Sequence, residues 1–100
     1  MINRFTVNRK DKRSWPGERG QVHHQPMPEE RVHARRRAIG DHIRAARLHA
    51  DLTQEAISLR TGIRIATISD IEQGHRAARI DSLIRIADAL GVPLADLVQE

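Results

Sequence analysis

The stretch Thr53–Gly74, TQEAISLRTGIRIATISDIEQG, decides the fold. It reads as two short helices joined by a tight turn. Ile57, Ser58, Ile63, Ile68 and Ile71 are apolar or small where such a pair must meet a core. Gly62 falls at the turn, where a positive φ is costly for most other residues. Thr53 is a good N-cap for the first of the pair, with Glu55 in its opening turn and an end near Arg60. The second runs from about Ile65 to Gln73 and stops at Gly74.

Working outward, Ile80, Leu83, Ile84, Ala87 and Leu90 mark another helix closed by Gly91, and Pro93 opens a short last one, PLADLVQE. Upstream, Val32, Ile39, Ile43, Ala46 and Ala50 keep a helical spacing. This first helix begins at about Pro28, or on a stricter reading at about Arg36, and ends at Ala50. Asp51 follows, a residue that tolerates the left-handed conformation. β-branched residues are common in 38–100 but fall three or four apart and not alternately, so no strand is expected. The expected fold is all-α, a compact five-helix bundle over 38–100. Residues 28–37 form a basic N-terminal extension of its first helix, and 1–27 a disordered basic tail.

The tail reading rests on composition. Residues 1–26 are polar, hold Pro16, Gly17, Gly20 and Pro26, and strand both aromatics, Phe5 and Trp15. Such a segment buries too little apolar area to offset its ordering entropy. Met27-Pro28-Glu29-Glu30 suits a helix start, with proline in the first turn and acids at the positive end of the dipole. It also reads naturally as a translation start, which gives the expectation that the working protein begins at Met27. A native peptide from residues 1–26 would overturn it.

At 100 residues the chain has room for one small domain. It has no cysteine, which excludes disulfides and thiolate metal sites and is compatible with a reducing cytoplasm. No apolar run approaches the ~18 residues of a membrane span, and no apolar region follows the charged N-terminus as in a secretory signal. The overall net charge of +4 hides a split. Residues 1–37 hold ten Arg and Lys against four acids, a net of +6, while 38–100 hold seven arginines against nine acids, a net of −2. The positive charge therefore lies outside the bundle. The bundle core is Ile, Leu, Val and Ala without an aromatic, modest for its size, which favours stabilisation by dimerisation.

With these pieces in order (IGDHIRAARLHADLTQ, AISLRTGI, ATISDIEQG, DSLIRIADALGVPLADL) the chain from about Ala38 to Val98 resembles the phage-repressor-like helix-turn-helix family, the Cro and lambda-repressor type. The resemblance implies a five-helix bundle that binds duplex DNA as a dimer. Carried over residue by residue, it places Thr53 and Gln54 against a DNA phosphate at the start of the second helix. The exposed face Arg64, Ile65, Ala66, Thr67, Ser69 and Asp70 enters the major groove. Gln73 and His75 match positions that touch the backbone, and Arg47 and Glu72 match a partly buried structural salt bridge.

The departures bear on base reading. Ser58 stands where the family prefers Ala. Arg64 replaces a Ser or Thr cap, at a cost of about 1 kcal/mol. Ala78-Arg79 replaces a common Pro-Ser. Ile65 and Ala66 carry no hydrogen-bonding group and can meet only thymine methyls or sugars, while Asp70 accepts from cytosine N4 but repels phosphates. Because the bundle itself is net negative, Arg35, Arg36 and Arg37 are expected to act as a phosphate-binding arm, the competing reading being a solvated helix start. Leu94, Leu97 and Val98, a stripe in the last helix, are expected at a dimer interface, with core packing as the competing reading.

Histidines 23, 24, 33, 42, 49 and 75 are scattered, and His42 and His49 are seven residues apart on one helix, so no metal site is expected. No cofactor is expected either, nor catalysis: there is no Gly-rich phosphate loop, no Tyr, no H-E-x-x-H, and no carboxylate pair driven into one pocket. The expected function is sequence-specific duplex DNA binding by a cytoplasmic, nucleoid-associated homodimeric regulator, a repressor in preference to an activator. Two alternatives stand beside it. One is a protein-interaction module that keeps the fold without base reading. The other is the antitoxin of a toxin–antitoxin pair, with the toxin as protein partner.

Overall fold

A computed structural model describes residues 27–100. Of the tail expected over 1–27, residues 1–26 fall outside the described residues, and Met27 is the residue before the first helix. Five helices follow in order: α1 (Pro28–His49), α2 (Gln54–Thr61), α3 (Ile65–Glu72), α4 (Ile80–Leu90) and α5 (Leu94–Val98). No strand occurs among the described residues. The first helix takes the longer of its two readings and starts at Pro28, where the Glu30 carboxylate accepts from the Met27 backbone N–H at 3.1 Å.

The helix ends follow local chemistry. Thr53 Oγ1 accepts the Ala56 N–H at 3.0 Å and caps α2. Gly62 ends α2 at φ +77°. α1, α3 and α4 each close with two reverse hydrogen bonds around one left-handed residue: Asp51 (φ +62°), Gly74 (φ +75°) and Gly91 (φ +71°). Arg64 and Arg79, which cap α3 and α4, make no side-chain cap bond, as expected of arginine at that position.

α1 packs on α3 and α5, α2 on α3 and α4, and α4 on α5. The core they enclose is Ile43, Ile57, Ile63, Ile68, Ile71, Leu83, Ile86, Ala87, Leu90 and Leu97. Aliphatic side chains alone fill it, so the helices must approach closely, and one glycine makes that possible. A Cβ on Gly40 would lie 2.5 Å from the backbone oxygens of both Ile71 and Glu72. Glycine there weakens α1 by about 1 kcal/mol in propensity and lets it lie directly on the end of α3.

Leu97 corrects one expectation. It is 1% exposed and sits in the core, so it cannot line a dimer interface. Leu94 and Val98 are half-buried against the same core. α5 is barely more than one turn long and packs on α1 and α4. The large apolar residues left exposed lie elsewhere, among them Ile80 (66%) and Ile84 (42%), one turn apart on α4.

Candidate nucleic-acid interface

Helices α2 and α3 are held at a fixed angle by a turn that their own side chains wire together. Ser58 Oγ donates to the Ile63 carbonyl at 2.6 Å and Thr61 Oγ1 to the Ile57 carbonyl at 2.7 Å. The Ile63 N–H returns a bond to Thr61 Oγ1 at 3.1 Å. With Gly62 supplying the reversal, two side chains make three bonds to backbone groups that a short connection would otherwise leave unpaired.

A second brace ties the start of α2 to the end of α3. Arg47 donates through Nε and Nη2 to the two Glu72 oxygens at 2.7 and 3.0 Å, and through Nη1 to the Leu52 carbonyl at 2.9 Å. Gln54 Nε2 donates to Glu72 Oε1 at 3.1 Å. Both charged partners are buried. The hydrogen bonds that Arg47 donates to Glu72 raise its pKa above the ordinary value against the opposing effect of burial, so the arginine stays charged wherever the fold exists. The sequence pairing of Arg47 with Glu72 is thus a formed contact, and Gln54 belongs to it.

The brace sets Gln54, at the start of α2, beside the end of α3. Gln54 keeps its second side-chain N–H, and the first backbone N–H groups of α2 have no helical partner. Beside them the chain leaves α3 through exposed Gln73 and His75. Arg37 closes the row: a Cβ on Gly74 would lie 2.7 Å from Arg37 Cγ and 3.0 Å from its Cα, so this exposed arginine runs directly over the α3 exit.

The three arginines read as one arm separate here. Arg35 donates to the Val98 carbonyl at 2.6 Å and the Gln99 carbonyl at 3.5 Å, and so caps the end of α5. Arg36 is half-buried and faces the connection between α3 and α4. Only Arg37 lies against the edge formed by Gln54, Gln73 and His75.

On α3, Arg64, Ile65, Ala66 and Gln73 are exposed, Thr67, Ser69 and Asp70 half-buried, and Ile68, Ile71 and Glu72 buried. The exposed face therefore runs along the helix as the spacing required. Its polar groups are partly engaged with one another: Gln73 Nε2 donates to Ser69 Oγ at 2.9 Å, and Asp70 meets Arg76 at 3.5 Å across solvent. Arg76 offsets the negative charge that Asp70 places on this face. The Arg64 guanidinium has no hydrogen-bond partner among the described residues.

The family model described as helix-turn-helix matches residues 43–97, a span that holds all of the brace and the α2–α3 turn. The chain belongs to the helix-turn-helix family. The chain is 33% identical over 63 residues to an uncharacterised HTH-type transcriptional regulator, y4dJ, of Sinorhizobium fredii, an alignment covering 63% of this chain and 82% of the relative. The restriction-modification controller protein C.AhdI from Aeromonas hydrophila has a similar fold, with a TM-score of 0.63 at 23% identity, over 64% of this chain and 97% of that one. The clp gene regulator ClgR from C. glutamicum superposes with a TM-score of 0.61 at 22% identity, over 73% of this chain and 86% of that one.

Three residues of this helix-turn-helix domain carry bonds that spacing did not reveal. Besides Arg35, His42 Nδ1–H donates to the Leu97 carbonyl at 3.1 Å, and Arg60 donates to the Ala89 carbonyl at 3.1 Å. Each closes the carbonyl end of a helix distant in sequence. A basic residue on one helix and a carbonyl terminus on another leave no periodic signal. Among the described residues no cluster of His, Asp and Glu is arranged to hold a metal ion, and no helix is long and apolar enough to cross a membrane.

Proposed function

We propose that this helix-turn-helix protein is a DNA-binding transcriptional regulator that reads a specific duplex site with α3 in the major groove. The observation that carries the reading is the shared edge. Gln54 at the start of α2 bonds Glu72 at the end of α3, exposed Gln73 and His75 follow it, and exposed Arg37 lies against Gly74 between them. Phosphate contacts along that edge set register, and Arg64, Thr67, Ser69 and Asp70 supply the base-directed groups. Ile65 and Ala66 add apolar contact, suited to thymine methyls.

Ile80 and Ile84 form the seam of a homodimer, which reads two half-sites about one helical turn apart. Occupancy then excludes polymerase, so the regulator acts as a repressor. Selection of bound sequences from a randomised duplex pool tests the reading. An enriched motif bound ~10³-fold or more tighter than random duplex supports it.

The internal pairing of Ser69 with Gln73 and of Asp70 with Arg76 favours one second reading, a protein-interaction module that keeps this fold without base reading. Selection that returns no motif from a folded protein supports that reading over the first.

A further inference from the structure

The first turns of α1 extend past the bundle, and with the α3–α4 connection they enclose an open groove of about 470 Å³. Its floor is apolar, built from Val32, Ile39 and Leu83, and Val32 is 55% exposed within a basic helix. Arg31, Arg36 and Arg76 stand around that floor, and no carboxylate lines the groove. Arg76 has one exposed carboxylate neighbour, Asp70 at 3.5 Å. Like charges gathered at close range repel one another, and exposed apolar area is unfavourable in water. One kind of occupant relieves both costs, a chain carrying carboxylates beside apolar side chains.

The other occupants fit worse. A DNA backbone satisfies the arginines and leaves the apolar floor unmatched. A second copy of the α1 extension brings the same arginines to the same place. The chain's own residues 1–26 carry six basic residues against two acids and are repelled. We propose that this groove is a docking site for an acidic amphipathic segment of a partner protein, anchored by apolar side chains on Val32, Ile39 and Leu83 and held by ion pairs to Arg31, Arg36 and Arg76. The proposal is independent of base reading by α3.

The test uses the full chain, ¹⁵N-labelled, and a synthetic helical peptide of about 18 residues with Leu at the i, i+3, i+4 and i+7 positions and Glu elsewhere. Saturable shift changes confined to residues 31–39 and 76–83 are expected. Arg31→Glu and Val32→Asp, both at exposed positions, are each expected to weaken the peptide about tenfold or more while thermal unfolding and duplex affinity stay unchanged. A peptide with Lys in place of Glu, or Ser in place of Leu, is expected not to bind. Shifts that are absent or fall elsewhere overturn the proposal, as does equal binding of the Ser peptide. A loss of duplex affinity in Arg31→Glu with peptide binding intact makes the groove a phosphate surface and equally overturns it.

Discussion

Arg47 and Glu72 meet in a buried, two-pronged ion pair at 2.7 and 3.0 Å that joins α1 to the last turn of α3. Gln54 adds a third bond to the same carboxylate, so one acid fixes the start of α2 against the end of α3. Removing one partner strands the other charge in the interior. Glu72→Ala is expected to cost about 3–5 kcal/mol, measured by urea unfolding, whereas replacing both residues with aliphatic ones of similar volume costs far less or nothing. Below the ordinary arginine pKa the Arg47 side of the pair is fully charged in both folded and unfolded chains. Its raised pKa therefore adds stability that is lost only as pH climbs through the folded value, and it contributes no pH dependence near neutrality.

Two glycines predict opposite kinds of failure. At Gly40 a Cβ meets the backbone of Ile71 and Glu72 at 2.5 Å. Gly40→Ala is expected to destabilise by about 1–3 kcal/mol despite the better helix former, because backbone cannot step aside. At Gly62 nothing lies within 4 Å, and only the φ of +77° opposes substitution. Gly62→Ala is expected to cost about 1 kcal/mol with the fold intact. Thermal unfolding followed by circular dichroism separates the two.

Asp51 offers the converse. It holds φ +62° without being glycine. Asp51→Gly is expected to stabilise the chain by a few tenths to about 1 kcal/mol, read as an upward shift of Tm.

In the proposed homodimer the seam lies on Ile80 and Ile84, the exposed apolar pair of α4. Substituting both by Asp is expected to leave the monomer folded and to shift sedimentation toward monomer at concentrations where the unaltered chain is dimeric. Leu97→Ala is expected instead to lower stability by about 2–5 kcal/mol, because its side chain is core. A dimer that survives the double Asp substitution would move the seam elsewhere.

Much of this molecule was legible from spacing. The isoleucines on either side of Gly62, the cap at Thr53, the left-handed positions at Asp51, Gly74 and Gly91, and the pairing of Arg47 with Glu72 all rest on local patterns or on the family resemblance. What escaped was long-range. Gly40 reads as a poor helix residue until α3 lies on it. Leu97 reads as the outer stripe of a chain-end helix, since one turn has too few residues to show which side is covered. Arg35 and Arg37 are two residues apart and equally charged, yet the helix turns them to opposite fates, one toward the α5 carbonyls and the other over Gly74.

In the proposed complex the edge of Gln54, Gln73, His75 and Arg37 positions phosphates while α3 reads bases. The affinity for the selected duplex and for a scrambled one is measured across salt concentrations for the unaltered chain and for Arg35→Ala, Arg37→Ala and Arg64→Ala. Arg37→Ala is expected to weaken both duplexes alike and to reduce the log–log salt slope by about 0.9. Arg35→Ala is expected to leave the slope unchanged, and Arg64→Ala to narrow the gap between the two duplexes. Equal affinity of the unaltered, folded protein for selected and scrambled duplex, with a slope indifferent to Arg37, would contradict the account.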